Sequence, residues 1–203
     1  MAMKIISEGA EARIYSGNFL GIRVAVKERV SKAYRVRELD SSIISQRTRS
    51  EARIMALASS AGVPVPGLVF IDGNRISMEL LDGTTLNRLI GRMPAKRLSR
   101  VMSKLGGCLA LLHNIGIAHG DYTPANALVG RDGVHVIDFG LSSVTNSVED
   151  KALDLLLMKR SVDRVAFSSF LYAYKKVGRE SGAVLERLAD IEGRGRYQNR
   201  SLE

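Results

Sequence analysis

Two short segments in the C-terminal half of the chain contain the residues best suited to catalysis. They are H-G-D-Y-T-P-A-N at 119–126 and V-I-D-F-G at 136–140. Asp121 is placed to accept or orient the proton of an attacking hydroxyl or water, whereas Asn126 and Asp138 supply the hard oxygen ligands that Mg²⁺ prefers. Phosphoryl transfer mainly requires metal ions, an oriented nucleophile and screened phosphate charge. The spacing therefore predicts magnesium-dependent chemistry on a nucleoside triphosphate, with ATP and Mg²⁺ as cofactors.

An apolar strand in the N-terminal half ends in a lysine that suits the same chemistry. The strand reads V-A-V-K at 24–27, and an ammonium at this place is typical of a contact to the α- and β-phosphates. A buried lysine needs a carboxylate partner. Glu51 is the preferred partner of Lys27 because it lies well inside a predicted helix, and Glu38 and Asp40 are the alternatives.

Two further segments are predicted to surround the nucleotide. The phosphate turn consists of Glu8, Gly9, Ala10, Glu11 and Ala12. It has one glycine where protein kinases use three, so the backbone must approach the phosphates differently. Either its two acids face away, or one of them takes part in a pairing that regulates the site. At the other end of the cleft, the backbone of Glu79 and Leu81 is expected to meet the adenine edge.

The elements that must position these residues follow from periodicity and turn signals. In the first part, strands are predicted at 3–6, 12–15 and 21–27, a helix at 41–60, and a hairpin at 68–71 and 75–80. In the second part, helices are predicted at 85–90, 95–114, 150–159, 162–177 and 183–191, with strands at 127–129 and 134–137. The pair Gly106-Gly107 is expected to permit a close backbone approach.

This order of elements predicts an α+β protein with a minimal two-lobed, protein-kinase-like fold. A small β-rich N-lobe would cover residues 1–82, and a helical C-lobe with a basic tail would cover residues 83–203. The hinge is expected near residues 79–83, and the cleft between the lobes is the usual location for a ligand.

Composition limits the class of protein. With 203 residues, 45% of them hydrophobic and 25% charged, the chain has enough apolar side chains to bury a core. No apolar run is long enough to cross a bilayer, and the N-terminus lacks the apolar stretch of a signal peptide. The single cysteine, Cys108, excludes an internal disulfide. We therefore expect a cytoplasmic protein without membrane contact.

The net charge of +9 favours a polyanionic partner, and we expect this partner to be RNA. Between residues 83 and 120 there is no acidic residue, and a basic strip there contains Arg88, Arg92, Lys96, Arg97, Arg100 and Lys104. A second cluster contains Lys27, Arg29, Lys32, Arg35, Arg37, Arg47, Arg49 and Arg53. The C-terminal tail adds Arg194, Arg196 and Arg200.

With these pieces in order, nearly the full chain resembles the PRPK family, the small atypical kinases of the KEOPS complex. The matching stretches are G-A-E-A at 9–12, K-x-R-x-x-K-x-Y-R at 27–35, L-D at 39–40, R-T at 47–48 with E-A at 51–52, and the two catalytic segments. The resemblance implies a kinase that autophosphorylates and acts chiefly as an ATPase with its tRNA-modifying partner. It also implies, as partners, the KEOPS tRNA threonylcarbamoyl transferase subunit, the other KEOPS subunits and tRNA.

Two departures from ordinary protein kinases support an atypical enzyme. Thr123 occupies the position, two residues after Asp121, where Ser/Thr kinases usually carry a lysine that steadies the γ-phosphate. No long activation segment and no A-P-E motif fit between Gly140 and the helix that contains Asp154. Asp154 itself resembles the helix aspartate that ties down the catalytic-loop backbone. Hydrolysis or autophosphorylation is thus favoured over phosphorylation of docked peptides.

Three alternatives remain open at this point. A small-molecule phosphotransferase of the aminoglycoside or choline kinase type would share His-Gly-Asp, but only about sixty residues follow Asp138 to build an acceptor pocket. A RIO-type kinase fits the phosphate turn less well. An RNA-binding pseudokinase subunit would not need an intact set of catalytic residues.

Overall fold

The computed structural model describes residues 3–9, 11–32 and 35–200, with side chains through Arg194. The first part of the chain forms a five-stranded antiparallel sheet in the order β1-β2-β3-β5-β4, with one long helix. The elements are β1 (Lys4–Glu8), β2 (Ala12–Phe19), β3 (Ile22–Arg29), α1 (Arg37–Ser60), β4 (Leu68–Asp72) and β5 (Arg75–Glu79). The predicted strands, helix and hairpin are all present.

Helix α1 begins at Arg37, four residues before the predicted start at Ser41. The apolar period does not reach this first turn, but acidic side chains there suit the positive end of the helix dipole. The buried carboxylate of Asp40 also accepts hydrogen bonds from the Ser31 hydroxyl at 2.6 Å and the Lys32 N–H at 3.2 Å. The preceding loop therefore holds the helix start in place.

Residues 80–83 connect β5 to the second, mainly helical part. Its elements are β6 (Thr84–Thr85), α2 (Leu86–Leu89), α3 (Ala95–Asn114), β7 (Ile117–Ala118), β8 (Ala127–Val129), β9 (Val134–Val136), β10 (Ser143–Val144), α4 (Val148–Ser161), α5 (Arg164–Val177) and α6 (Ser181–Arg200). The strands form a three-stranded sheet, β6-β8-β9, and a two-stranded one, β10-β7. The predicted helix 85–90 is only the short α2 followed by a 3₁₀ turn at Ile90–Arg92. The last helix is longer than predicted.

The core of the helical part is centred on α3, whose apolar stripe is buried as predicted. Met102, Leu109 and Leu112 are fully buried and pack in one cluster with Phe170 of α5. An antiparallel sheet followed by a helical part confirms the predicted α+β architecture. In the part of the chain that the structure describes, no helix is both long and apolar enough to span a membrane.

Gly106 is the residue that lets α3 and α5 approach. A Cβ at this position would lie 2.0 Å from the carbonyl oxygen of Phe170, whereas a Cβ at Gly107 would meet nothing within 4 Å. The close approach predicted for the pair therefore belongs to Gly106.

Substitution at these two glycines is expected to have opposite effects. Gly106→Ala should destabilise the protein by about 3 kcal/mol, because the backbone of α5 must move away. Gly107→Ala is the matched control and should be neutral or stabilise by up to ~1 kcal/mol through helix propensity. Urea unfolding of both variants gives the free energies; equal stability would contradict the packing role of Gly106.

Candidate active site

The predicted site residues converge on a cleft between the five-stranded sheet and the helical part. A cavity of about 530 Å³ occupies the inner cleft. Among the residues that line it are Lys27, Glu51, Glu79, Leu81, Asn126 and Asp138. An adjoining cavity of about 350 Å³ lies under the phosphate turn. Its lining includes Gly9, Glu11, Ala12, Arg29, Asp121 and Gly140. Glu8 lines neither cavity, and Ala10 lies outside the described residues.

Lys27 connects two carboxylates at the centre of the cleft. Its Nζ donates to Glu51 Oε1 at 2.6 Å and to Asp138 Oδ1 at 2.7 Å. The predicted contact between Lys27 and Glu51 is therefore present, and Asp40 is engaged elsewhere. Lys27 and Glu51 are buried, whereas the Asp138 side chain is half-exposed. The lysine thus joins α1 to the Asp-Phe-Gly segment, residues 138–140.

The electrostatic environment keeps Asp138 ionised. Partial burial acts to raise the pKa of its carboxyl, but the Lys27 ammonium and the N–H of Gly140 outweigh burial and lower this pKa. A negative charge is therefore held at the cleft wall at neutral pH.

The backbone of Asp138 has a positive φ of 61°, a conformation that aspartate tolerates better than most residues.

A double-mutant cycle tests the functional coupling of Lys27 and Glu51. We expect Lys27→Ala and Glu51→Ala each to lower kcat/KM for ATP. The fold loss of the double variant should be smaller than the product of the two single fold losses, because each residue acts through the other. The control cycle uses Glu28 and Arg75, which pair at 2.8 Å between neighbouring strands of the same sheet. Multiplicative losses for Lys27 and Glu51 would reject their coupling.

Arg29 is a site residue that the sequence analysis missed. It was assigned with Lys27 to a basic cluster for RNA, but the two residues are only 6% and 8% exposed, so that assignment is wrong for both. Arg29 Nη2 donates to Glu51 Oε2 at 2.5 Å. The sequence pattern that could have identified Arg29 is the period of two along β3, which places residues 27 and 29 on one face of the strand.

The backbone of the catalytic loop, residues 119–126, is held in place by a side chain of α4. Asp154 accepts hydrogen bonds from the backbone N–H of His119 at 2.7 Å and of Gly120 at 2.8 Å, which is the contact that its position suggested. Gly120 has a φ of 80°, and a Cβ there would lie 2.4 Å from the Leu141 carbonyl oxygen. Only glycine meets both conditions, so the loop and the segment after Gly140 pack closely.

Asn126 orients Asp121 across the loop. Its Nδ2 donates to the Asp121 backbone oxygen at 2.9 Å and to Oδ2 at 2.7 Å. Because both hydrogen bonds use the amide nitrogen, Asn126 Oδ1 stays available as a ligand. One amide oxygen and the carboxylate of Asp138 suit Mg²⁺, which binds through one or two protein oxygens together with phosphates and water. In the described residues, no group of three or more His, Cys, Asp and Glu side chains could hold a metal alone.

A buried polar chain that the sequence did not reveal lies behind Asp154. Tyr174 of α5 contacts His113 Nδ1 at 2.7 Å, and His113 Nε2 lies 3.1 Å from Asp154 Oδ2. The neighbouring His119 is fully buried, and burial lowers its pKa. Burial thus favours the neutral imidazole, whose Nδ1 accepts a hydrogen bond from the Asp121 N–H at 3.3 Å.

The acids of the phosphate turn are paired with arginines on the protein surface. Glu8 accepts from Arg13 at 2.7 Å, and Glu11 lies 3.7 Å from Arg47 of α1. Both acids are thus paired, Glu8 faces away from the two cavities of the cleft, and a regulatory role for either pair stays a prediction. The turn itself is closed by a hydrogen bond from the Gly9 N–H to a carbonyl three residues later, at 3.0 Å.

The basic strip at 88–104 remains a candidate surface for a polyanion. All six of its basic residues are exposed, and within the described ranges none of them forms an ion pair. The side chains of Arg196 and Arg200, predicted as part of the basic tail, lie outside the described side chains.

Comparison with known families identifies the class of the protein. The RIO domain family matches residues 16–169. The structure is similar to that of the Rio2 kinase from Chaetomium thermophilum, with a TM-score of 0.67, 16% identity, and coverage of 99% of this chain and 72% of the other. This likeness confirms the predicted kinase-like fold. The chain is a RIO-type atypical kinase, the alternative that the sequence analysis had ranked lower.

Curated relatives define the family more narrowly. The KEOPS complex subunit Bud32 of Pyrococcus abyssi is 35% identical over 98% of both chains. The EKC/KEOPS complex subunit bud32 of Dictyostelium discoideum is 34% identical over 95% of this chain and 82% of its own. A probable bifunctional tRNA threonylcarbamoyladenosine biosynthesis protein of Methanothermobacter thermautotrophicus is 35% identical, and this chain spans 36% of its length. The chain therefore belongs to the Bud32 family.

Proposed function

We propose that the chain binds Mg²⁺·ATP in the cleft and transfers or hydrolyses the γ-phosphate, as a subunit of a tRNA-modifying assembly. The observation that carries the proposal is the convergence of Lys27, Asp121, Asn126 and Asp138 on one cleft. The similar Rio2 kinase was crystallised as a complex with ADP and Mg²⁺, which supports the choice of ligand. The sheet part, 1–82, and the helical part, 83–203, would act as two lobes that close on the nucleotide.

Each residue has a role that follows from its surroundings. The N–H of Glu79 already donates to the Gly67 carbonyl at 2.8 Å, so the adenine edge would meet the Glu79 carbonyl and the backbone of Leu81. Lys27 would contact the α- and β-phosphates, under the turn formed by residues 8–12. These contacts fix the nucleotide with its terminal phosphate toward the catalytic loop.

Asp121 would orient the nucleophile and take its proton. Its Oδ2 is held by Asn126, which fixes the carboxylate beside the cleft. Asn126 Oδ1 and Asp138 are the protein oxygens that would hold Mg²⁺, which when bound would neutralise charge on the phosphates. The nucleophile is water or a hydroxyl of the protein itself, because no long segment follows Gly140 to dock a peptide.

The proposed assembly follows from the named relatives. Two of them are KEOPS complex subunits, and the third is named for tRNA threonylcarbamoyladenosine biosynthesis. We therefore propose a tRNA threonylcarbamoyl transferase and the other KEOPS subunits as partners, with tRNA as the polyanion that the exposed basic strip would meet, in the cytoplasm.

The deciding experiment measures ATP turnover by the chain alone, with tRNA, with the partner transferase, and with both. We expect low basal turnover and stimulation by the partner, since a protein that covers the cleft can order the loop after Gly140. Strong phosphorylation of free peptides without any response to partner or tRNA would favour a signalling kinase instead. Nucleotide binding without turnover under all conditions would indicate a pseudokinase subunit.

A further inference from the structure

Glu51 is bound by two cations rather than one. Lys27 Nζ engages Oε1 at 2.6 Å, and Arg29 Nη2 engages Oε2 at 2.5 Å. The carboxylate is 2% exposed, and the two cationic side chains are 9% and 6% exposed. Water therefore screens these charges weakly, and their balance is set by the neighbouring side chains.

Arg29 directs its charge only to Glu51. Among the described residues its side chain makes no other hydrogen bond, and Nε is buried without a partner. The guanidinium lines the cavity under the phosphate turn and lies beside Gly140, where a Cβ would be 3.5 Å from Nη2. An arginine stays protonated at every physiological pH, so this positive charge is permanent.

Four charged side chains meet at the centre of the cleft, and their charges balance only when Arg29 is counted. Lys27 and Arg29 oppose Glu51 and Asp138, two charges of each sign. Without Arg29, Lys27 would be the sole cation for two carboxylates. With Arg29 in place, Glu51 has a counter-ion of its own, and the charge of Lys27 is left for Asp138.

We propose that Arg29 is a positioning residue that neutralises Glu51, so that Lys27 can direct its charge to the nucleotide phosphates. The inference rests on the proposed function, in which Asp138 turns to the metal and Lys27 to the phosphates. When the nucleotide is bound and Lys27 has turned to the phosphates, Glu51 keeps Arg29 as its partner.

The test compares the binding of Mg²⁺·ADP and of adenosine by calorimetry in the wild type, Arg29→Met and Arg29→Met/Glu51→Gln. Arg29→Met should weaken Mg²⁺·ADP binding by about tenfold or more, because Lys27 is drawn to an unbalanced carboxylate. Adenosine affinity should not change, since adenosine has no phosphate. Glu51→Gln removes the unbalanced charge, so the double variant should recover most of the affinity.

The other outcomes are equally decisive. Arg29→Met with wild-type affinity for Mg²⁺·ADP overturns the proposal, and so does a double variant without recovery, since Arg29 would then contact phosphate itself or act only in packing. If Arg29→Met alone fails to fold, as seen by lost adenosine binding, the charge-balanced double variant decides by the same criterion. Arg29→Lys keeps the cation and should bind Mg²⁺·ADP better than Arg29→Met; equal loss would also overturn the proposal.

A wild-type protein that binds no Mg²⁺·ADP would refute the proposed function instead. Failure of the two proposals is therefore distinguishable in the same set of measurements, because the wild type tests the first and the variants test the second.

Discussion

Replacing Asp121 by asparagine is expected to lower Mg²⁺-dependent ATP turnover by about 10² to 10⁴-fold, with nucleotide affinity nearly unchanged. The amide has the same size as the carboxylate and can still contact the Asn126 side chain, which donates to Asp121 Oδ2 at 2.7 Å in the wild type. It cannot accept a proton from the nucleophile. Single-turnover rates measured at saturating ATP separate this chemical effect from binding.

The matched control for Asp121→Asn is Asp132→Asn. Asp132 is exposed in the turn between β8 and β9 and lines neither cavity of the cleft, so its replacement should leave turnover at the wild-type level. Wild-type turnover by cleanly purified Asp121→Asn would show that another group takes the proton. Loss of nucleotide affinity together with turnover would place Asp121 in binding rather than in the chemical step.

Local spacing explains why much of the site could be predicted. Asp121 and Asn126 are five residues apart, and the loop between them brings their side chains into contact with little help from the rest of the fold. Lys27 directly follows the apolar run V-A-V at 24–26 within β3, and this run is visible in the sequence. The apolar stripe of α3 likewise repeats at helical spacing and is buried as expected.

Contacts between distant segments could not be predicted in the same way. The polar contacts from Tyr174 to His113 and from His113 to Asp154 join three helices. The two contacts connect residues that are 61 and 41 positions apart in the sequence. These polar side chains look like ordinary surface residues when each helix is considered alone. Only the packing of α3 against α4 and α5 turns them into a buried network.

Arg29 illustrates the limit of charge patterning. Basic residues near one another in sequence suggest an exposed patch, and this interpretation is usually correct. In β3, however, residues 27 and 29 share the face of the strand that points to Glu51, so the first two members of the cluster are buried. A strand-level interpretation of alternation would have separated them from Lys32 and the basic residues that follow.

Replacing Asp138 by asparagine should have the largest effect on metal dependence. The variant lacks the charged ligand that we propose for Mg²⁺, so Mg²⁺-dependent turnover should fall by about 10² to 10⁴-fold or more. The protein should remain folded, because Lys27 keeps its hydrogen bond to the buried Glu51 carboxylate at 2.6 Å. Thermal unfolding of the apo protein checks this expectation.

A comparison of nucleotide affinity with and without metal separates the roles of Asp138 and Asp121. Lys27 donates to Asp138 at 2.7 Å, so Asp138→Asn frees this ammonium for phosphates. Affinity for ATP in the presence of EDTA should therefore be kept or increased, while the gain in affinity on adding Mg²⁺ should disappear. Asp121→Asn should retain that gain. If Asp138→Asn also retained it, the metal would be held elsewhere in the cleft, and the assignment of Asp138 as its ligand would have to be abandoned.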